Sequence, residues 1–253
     1  MAVTAWFYPL LFLTGAAAGL VDSIAGGGGL ISLPVILTLG FPVPIALGTN
    51  KLQSLIGTST ASIQFARSGH VDLPACWRGF IASFLGSLAG AWTIERIDPQ
   101  LLSRIIPWFL ALVFLYTLSR NKLGMAEGKA LMSRPAFYAS AGAALGFYDG
   151  VFGPGAGSFW TVALIVGLGF DFLKATGTTK LMNGASNAAA ALVFGLAGHI
   201  AWGAAVCMAA GQVVGARLGA LVALKKGARF VRPLFLTMVG LTLVRLLYLG
   251  LRR

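Results

Sequence analysis

Long apolar stretches, separated by short polar breaks, make up almost the whole chain of 253 residues. Ten such stretches occur, five on each side of a hydrophilic stretch at residues 120–134. They lie at residues 3–22, 30–40, 52–66, 74–93, 101–119, 135–150, 157–171, 181–197, 201–224 and 233–251. A helix needs about 20 apolar residues to cross the hydrocarbon core of a bilayer. The pattern predicts an all-α polytopic membrane protein with about eight to ten membrane segments.

The two halves of the chain repeat each other. Gly48-Thr49-Asn50-Lys51-Leu52 recurs as Gly177-Thr178-Thr179-Lys180-Leu181, with an offset of 129 residues (180 − 51). Asp22 followed by Gly26-Gly27-Gly28 recurs as Asp149 followed by Gly153-Pro154-Gly155, with an offset of 127 residues (149 − 22). We therefore predict a first membrane repeat at residues 1–119, a hydrophilic linker at 120–134 and a second membrane repeat at 135–253.

The second segment of each repeat is too short to cross a bilayer as a straight helix. Residues 30–40 and 157–171 would extend about 16 to 22 Å, whereas the hydrocarbon core is about 30 Å thick. We predict that both segments are broken or re-entrant helices. Broken helices in corresponding positions of two repeats are typical of secondary transporters, which bind their substrate there.

Lysine and arginine residues predict the orientation of the repeats. If all five segments of each half cross, the second repeat is inverted and ten basic residues share one face, against four on the other. The ten are Arg67, Arg78, Arg120, Lys122, Lys129, Arg134, Lys225, Lys226, Arg229 and Arg232. If the short segments only re-enter, the repeats are parallel and the division is eight against six. The positive-inside rule favours inverted repeats with both termini outside.

Composition excludes several classes of function. The chain is 57% hydrophobic and only 10% charged, which is outside the range of soluble globular proteins. The net charge of +12 does not indicate nucleic-acid binding, because the basic residues fall between apolar segments. Cys76 and Cys207 show neither a disulfide framework nor metal-ligand spacing. We therefore expect no metal and no cofactor, and a multi-pass location in the plasma (inner) membrane.

Asp22 and Asp149 occupy the same place in each repeat, at the end of the first segment and just before the glycine run. An ionised aspartate at membrane depth is costly unless it is paired or hydrated. One interpretation is that each carboxylate caps the short helix that follows it. The other is that the two aspartates couple transport to protons. The sequence leaves both interpretations open.

The glycine runs Gly26-Gly27-Gly28-Gly29 and Gly153-Pro154-Gly155-Ala156-Gly157 break regular structure. Free backbone N–H groups at the start of a half-helix, together with the positive end of its dipole, form an anion site. The alternative is that these glycines only allow helices to pack closely.

Lys51 and Lys180 each open an apolar segment that is rich in small polar side chains. A lysine with hydroxyl and amide neighbours can coordinate a tetrahedral oxyanion. The neighbours expected to donate hydrogen bonds are Thr49, Asn50, Thr178, Thr179, Asn183 and Asn187. The alternative is that both lysines snorkel to lipid headgroups from helix ends.

Two further patterns have structural interpretations. His70 and His199 each follow a glycine after the third segment, which favours turns over proton relays. Small residues recur every four positions in the fourth segments, at Ala82, Gly86, Gly90, Gly211, Gly215 and Gly219. Such spacing lets helix backbones approach closely, either between the two halves or across a homodimer.

Taken together, these motifs resemble those of the TauE/SafE family of sulfite and organosulfonate exporters. The resemblance rests on Gly19-x2-Asp22-x3-Gly26-Gly27-Gly28 with Pro34, and on the two lysine motifs with Asn183, Ser186 and Asn187. It covers both repeats and implies a bacterial plasma-membrane permease that moves small sulfur-containing anions outward. Asn50 corresponds to Thr179, and Gln53-Ser54 to Met182-Asn183, so the two half-sites differ.

We therefore expect a transporter with one central pocket that binds a small anionic substrate between the two glycine breaks. Its partners would be that anion and the lipid bilayer, not nucleic acid. One alternative is a permease for another small anion. A second is an intramembrane aspartyl enzyme using Asp22 and Asp149, although the Gly-x-Gly-Asp motif of such proteases is absent. A third is an ion channel, for which no ring of carbonyls or charges is visible.

Overall fold

A computed structural model describes residues 7–93, 108, 111, 115, 118, 119, 123–151, 153 and 155–251. All regular structure in these residues is helical, which confirms the predicted all-α class. The helices are α1 (Phe7–Ala25), α2 (Gly29–Thr38), α3 (Val43–Arg67), α4 (Leu73–Thr93), α5 (Arg134–Val151), α6 (Ala156–Leu168), α7 (Phe172–Leu196), α8 (Trp202–Lys226) and α9 (Ala228–Leu251). Most of the predicted fifth segment, at 101–119, lies outside the described residues.

The predicted starts of the third segments, at residues 52 and 181, are wrong. α3 begins at Val43 and α7 at Phe172, nine residues earlier in both cases. α3 begins after Pro42 and carries a proline in its first turn, where a missing N–H costs nothing. α7 is capped by Asp171, whose carboxylate accepts a hydrogen bond from the backbone N–H of Lys174 at 2.8 Å. The polar motifs that suggested chain breaks are therefore in the interiors of two 25-residue helices.

The predicted short helices are confirmed. α2 has 10 residues and α6 has 13, so their lengths are about 15 and 20 Å. Each is preceded by a glycine-containing break that follows α1 or α5. Gly26 and Gly153 have φ angles of +78° and +90°, a conformation that residues with a Cβ rarely adopt. The chain can therefore leave one helix and start the next within a few residues.

The helices of one half pack mainly against helices of the other. α1 runs along α8 and α4 runs along α5, in parallel. A Cβ at Gly215 of α8 would overlap the carbonyl oxygen of Ala16, and one at Gly86 of α4 would lie 2.5 Å from that of Ala143. The small residues of the fourth segments therefore serve close packing between the two halves.

α3 and α7 lie together at the centre and run antiparallel. Gly48, near the start of α3, contacts Phe194 near the end of α7, while Gly177, near the start of α7, contacts Phe65 near the end of α3. His70 and His199 lie in the turns that follow these two helices, as predicted. The two lysine-bearing helices thus face each other along their length.

The outward surface is strongly apolar. Leu13, Leu85, Leu196 and Val206 are all more than half exposed. Two helices in the described part of the chain, α1 and α8, are long and apolar enough to cross a membrane, with mean hydropathies of 1.5 and 1.6. The interior, by contrast, contains many buried polar side chains along α3 and α7.

Candidate functional site

A small polar cavity lies where the two glycine breaks meet the central helices α3 and α7. Its volume is about 40 Å³, which is room for a few water molecules. It is lined by Asp22, Gly27, Gly29, Asn50, Lys51, Ser54, Thr58, Asp149, Gly153, Gly155, Ala156, Gly157, Asn183 and Asn187. The breaks touch directly, because a Cβ on Gly26 would lie 3.2 Å from the backbone of Gly157. Both halves of the chain therefore contribute to one cavity.

Lys51 is paired with an aspartate from the other half. Its Nζ lies 2.7 Å from Oδ1 of Asp149 and also donates a hydrogen bond to the backbone carbonyl of Asp149. The other carboxylate oxygen, Oδ2, accepts a hydrogen bond from the hydroxyl of Ser186 on α7. The side chains of Lys51 and Asp149 are only 4% and 6% exposed. In this buried ion pair the ammonium group donates to two oxygens of Asp149, and each carboxylate oxygen accepts a hydrogen bond.

Lys180 makes the reciprocal pair. Its Nζ lies 3.1 Å from Oδ2 of Asp22 and donates a hydrogen bond to the carbonyl oxygen of the same residue. Oδ1 of Asp22 accepts a hydrogen bond of 3.1 Å from the backbone N–H of Gly28, which immediately precedes α2. The side chain of Asp22 is 16% exposed, more than that of Asp149. In the first half, the aspartate thus also binds the start of the short helix.

These contacts exclude one interpretation of the lysines, that they snorkel to lipid headgroups. Lys51 and Lys180 are 3% and 0% exposed, so neither snorkels to the surface. Each one contacts the last turns of a helix that ends at a glycine break, where free carbonyl groups carry partial negative charge. Each lysine therefore neutralises both a carboxylate and a helix C-terminus from the other half.

A chain of side-chain amides orients Asn50 in the cavity. The Nε2 of Gln212 on α8 donates to Oε1 of Gln53 at 2.6 Å, and the Nε2 of Gln53 donates to Oδ1 of Asn50 at 2.9 Å. The hydroxyl of Ser32 donates to the same Oδ1 at 2.5 Å. Because the oxygen already accepts two hydrogen bonds, the NH₂ group of Asn50 remains as the donor beside Gly29, the first residue of α2.

An asparagine from the second half lies at the start of the other short helix. A Cβ on Gly157, in the first turn of α6, would lie 3.2 Å from Nδ2 of Asn183. Asn187 lies one turn further along α7 and also lines the cavity. Amide groups from α3 and α7 thus lie beside the N-terminal turns of α2 and α6, where the helix dipoles favour negative charge.

The structure separates the residues expected to bind substrate into two groups. Gly27, Asn50, Lys51, Gly153, Gly155, Asn183 and Asn187 line the cavity, together with Asp22 and Asp149. Gly26, Gly28, Thr49, Thr178, Thr179 and Lys180 do not. Thr49, for example, accepts a hydrogen bond from the backbone N–H of Ala201, and Thr179 contacts the hydroxyl of Thr161 at 3.2 Å. Pro154 lies outside the described residues.

Sequence reasoning did not identify Ser32 and Gln212 as part of the site. Gln212 lies next to the packing glycine Gly211, among small and apolar residues of α8. The signal that could have found it is the amide side chain itself, which is costly to bury without a partner. Its position against Gly19 and Gly57, where a Cβ would collide with its side chain, depends on tertiary packing alone.

The chain matches a known family over almost its full length. The family described as "Sulfite exporter TauE/SafE" matches residues 11–246. A "Probable membrane transporter protein" of Haemophilus influenzae is 40% identical over 239 residues, which is 94% of this chain and 94% of that protein. The "Probable membrane transporter protein YfcA" of Escherichia coli K12 is 38% identical over 94% of this chain and 89% of that protein. No solved structure gives a significant match. The chain therefore belongs to the TauE/SafE family of membrane transporters.

Proposed function

We propose that this protein is a secondary transporter that exports small sulfur-containing anions, such as sulfite or organosulfonates, across the plasma membrane, with many passes through the bilayer. The observation that carries the proposal is the cavity between two broken helices, where amide donors from both halves lie beside two helix N-termini. Such donors favour an anion over a cation or a neutral molecule. The name of the family supports a sulfur-containing anion.

Inverted repeats are part of the proposal. α3 and α7 start 129 residues apart (172 − 43), and the positive-φ glycines Gly26 and Gly153 lie 127 apart (153 − 26), which are the offsets between the repeated motifs. Corresponding helices that run antiparallel, as α3 and α7 do, are what inversion about an axis in the membrane plane produces. The same exchange of halves relates the ion pair Lys51–Asp149 to the ion pair Lys180–Asp22.

The anion would be held chiefly by neutral donors. Asn50 and Asn183 offer amide N–H groups and Ser54 offers a hydroxyl, while the start of α6 contributes the positive end of its dipole. The hydroxyl of Thr58 also lines the cavity, but it already donates to the carbonyl oxygen of Ser54. Neutral donors and dipoles can bind an oxyanion. An unpaired cation would attract the anion more strongly and would slow the release of the anion. Since the cavity holds only a few waters, a bound anion has to displace them or widen the cavity.

Lys51 would bind the anion with its positive charge only after its ion pair with Asp149 is broken. An anion in the cavity competes with the carboxylate of Asp149 for the ammonium group, and protonation of the carboxylate removes that competition. We propose the same relation for Lys180 and Asp22. Protons would then move in the same direction as the anion, which assigns Asp22 and Asp149 to coupling.

Two alternatives receive different support. A permease for another small anion would use the same donors, so the choice of anion depends on transport measurements. An intramembrane aspartyl enzyme needs two carboxylates that share a proton. Here each carboxylate is instead bound by a lysine from the other half, and the names of the relatives indicate transport.

The proposal is tested with purified protein in liposomes. Flux of labelled sulfite, sulfoacetate, thiosulfate and sulfate is measured with and without an imposed pH gradient. We expect saturable flux of at least one sulfur-containing anion, accelerated when the anion-loaded side is acidic. Lys51→Ala and Lys180→Ala should abolish the flux while both variants still insert into membranes.

The outcomes distinguish the parts of the proposal. Saturable flux that does not depend on the pH gradient would contradict proton coupling through Asp22 and Asp149. Unchanged flux in both lysine variants would remove the lysines from the mechanism. Absence of flux for every sulfur-containing anion, with flux of another anion present, would contradict the proposed substrate class.

A further inference from the structure

A second pocket lies on the surface between the first turns of α4 and α5, and it shares no lining residue with the cavity. Its volume is about 260 Å³, and its lining combines two arginines with aromatic and proline side chains. The arginines are Arg78 on α4 and Arg134 at the start of α5, and both are exposed. Trp77 forms one wall and is 55% exposed, while the buried Tyr138 lies at the base. We call this the α4–α5 pocket.

The positive charge of the α4–α5 pocket is only partly neutralised. Arg134 forms an ion pair of 3.2 Å with Asp72, whose other carboxylate oxygen accepts a hydrogen bond from the backbone N–H of Ala75. For Arg78, no carboxylate of the described residues lies within 4.0 Å. Its guanidinium group lies 5.3 Å from the centre of the Trp77 ring. The pocket therefore presents one guanidinium that an anion can bind without breaking an ion pair.

An apolar track leads away from the pocket along α4. Trp77, Ile81 and Leu85 follow at intervals of four residues, so they lie on one face of the helix. They are 55%, 47% and 57% exposed. In a membrane transporter, a face of this kind contacts lipid acyl chains. The pocket and the track together offer a site for a negatively charged group joined to a hydrocarbon chain.

We propose that the α4–α5 pocket binds the phosphate headgroup of an anionic phospholipid, with an acyl chain along Trp77, Ile81 and Leu85. Arginine forms bidentate hydrogen bonds with phosphate oxygens, and Trp77 lies where an interfacial aromatic residue contacts the headgroup region. Basic pockets between membrane helices bind lipid headgroups in this way. α5 also begins at the pocket, so its positive dipole end adds to the attraction, whereas the start of α4 is already compensated by Asp72.

The site follows from the membrane location of the chain and is independent of the transported anion. A soluble phosphate could reach Arg78 equally well, but it would make no contact with the apolar track. The apolar track therefore favours the lipid over a soluble phosphate. Free glycerol phosphate provides the comparison, because it carries the headgroup without the acyl chains.

Quenching of Trp77 fluorescence tests the proposal directly. The protein is reconstituted in phosphatidylcholine vesicles that contain a small fraction of either brominated phosphatidylglycerol or brominated phosphatidylcholine, with bromine near the headgroup end of the chain. The signal of Trp77 is the difference between the native protein and Trp77→Phe. We expect brominated phosphatidylglycerol to be enriched at Trp77 by about fivefold for each arginine that contacts the headgroup.

Variants separate this site from general attraction to a basic surface. Arg78→Gln should reduce the preference for phosphatidylglycerol, and Arg78→Gln with Arg134→Gln should remove it. Arg67→Gln, at an exposed position that does not line the pocket, should retain it. Arg78 contacts no carboxylate in the described part of the chain, so its replacement alone tests the site even if the double variant fails to fold.

Three results would overturn the proposal. The first is equal quenching by the two brominated lipids at matched fractions. The second is a preference that survives Arg78→Gln and Arg78→Gln/Arg134→Gln unchanged. The third is displacement of the brominated lipid by free glycerol phosphate at a concentration similar to that of the lipid. This result would show that the pocket binds the soluble headgroup and not the lipid.

Discussion

The ammonium group of Lys51 lies 2.7 Å from the carboxylate of Asp149, although the two residues are 98 positions apart and belong to different halves of the chain. Lys180 and Asp22 form the same contact with the halves exchanged. The two pairs join the halves beside the cavity. Any relative movement of the halves, as in alternating access, has to carry these pairs along or break them.

Removal of one member of the Lys51–Asp149 pair should destabilise the protein more than removal of both. Lys51→Met and Asp149→Leu each leave an uncompensated buried charge, which costs about 3–5 kcal/mol. The combined variant leaves none. We expect thermal unfolding in detergent to show two strongly destabilised single variants and a double variant that regains most of the loss, with transport absent from all three.

The exposed ion pair between Lys174 and Glu127 provides the control for this comparison. Solvent screens such a pair, so Lys174→Met should change the unfolding midpoint little. A double variant at positions 51 and 149 that is no more stable than either single variant would contradict the buried pairing.

Gln53→Met tests the amide chain that orients Asn50. Methionine stands at the position that the proposed repeat aligns with Gln53, Met182, and it is similar in length to glutamine. It can neither donate to Asn50 nor accept from Gln212. The loss of a fixed donor should raise the KM for the anion by about five- to tenfold, since one hydrogen bond contributes about 1 kcal/mol. The maximal rate should change little. Gln64→Met on the same helix is the matched control, because Gln64 is outside this network.

Kinetic constants distinguish this role from a purely structural one. If Gln53→Met lowers the amount of folded protein and leaves KM unchanged, the amide chain supports the fold and does not position Asn50.

Gly157→Ala should obstruct the cavity. The new methyl group would lie 3.2 Å from both Nδ2 of Asn183 and Cα of Gly26, closer than ordinary contacts allow. Overpacking of this kind costs about 1–3 kcal/mol, so we expect transport to fall on the order of tenfold. Gly184→Ala is the control, since its methyl group would meet Thr58 at an ordinary distance of 3.7 Å. Equal transport rates for Gly157→Ala and Gly184→Ala in liposomes would show that Gly157 does not lie at the edge of the binding site.

Gly215→Leu should separate α1 from α8. A side chain at this position collides with the backbone of Ala16, which cannot move aside as a flexible side chain would. We expect a lower unfolding midpoint and poor recovery of monodisperse protein from detergent. Gly203→Ala in the same helix meets only the end of the Tyr8 side chain, at 3.3 Å, and should behave like the native protein. A well-behaved Gly215→Leu variant would mean that the halves do not pack through this helix pair.

The sequence predicts individual helices and breaks better than the contacts between the two halves. The glycine breaks, the short helices and the placement of Asp22 and Asp149 before them follow from composition and spacing, because glycine and aspartate have strong local preferences. The pairing of Lys51 with Asp149 does not, because neither periodicity nor repetition specifies which residue of the other half lies opposite.

The starts of α3 and α7 show the same limit. Thr49, Asn50 and Lys51 form a polar run that is typical of a loop when hydropathy alone is considered. Inside the folded protein these side chains find partners on α2, α5 and the turn before α8, so the helix continues through them. Tertiary contacts thus override the local hydropathy signal.

Protection of one engineered cysteine tests the central claim most directly. In a variant whose Cys76 and Cys207 are replaced by serine, Ser54→Cys places a thiol in the cavity and Ser68→Cys places one in the exposed turn after α3. The rate of labelling by a water-soluble maleimide is measured with increasing sulfoacetate. If the anion binds where the two halves meet, sulfoacetate slows labelling at position 54 in a saturable manner and leaves position 68 unaffected. Labelling at position 54 that proceeds at the same rate in the presence of every transported anion would contradict a binding site in this cavity.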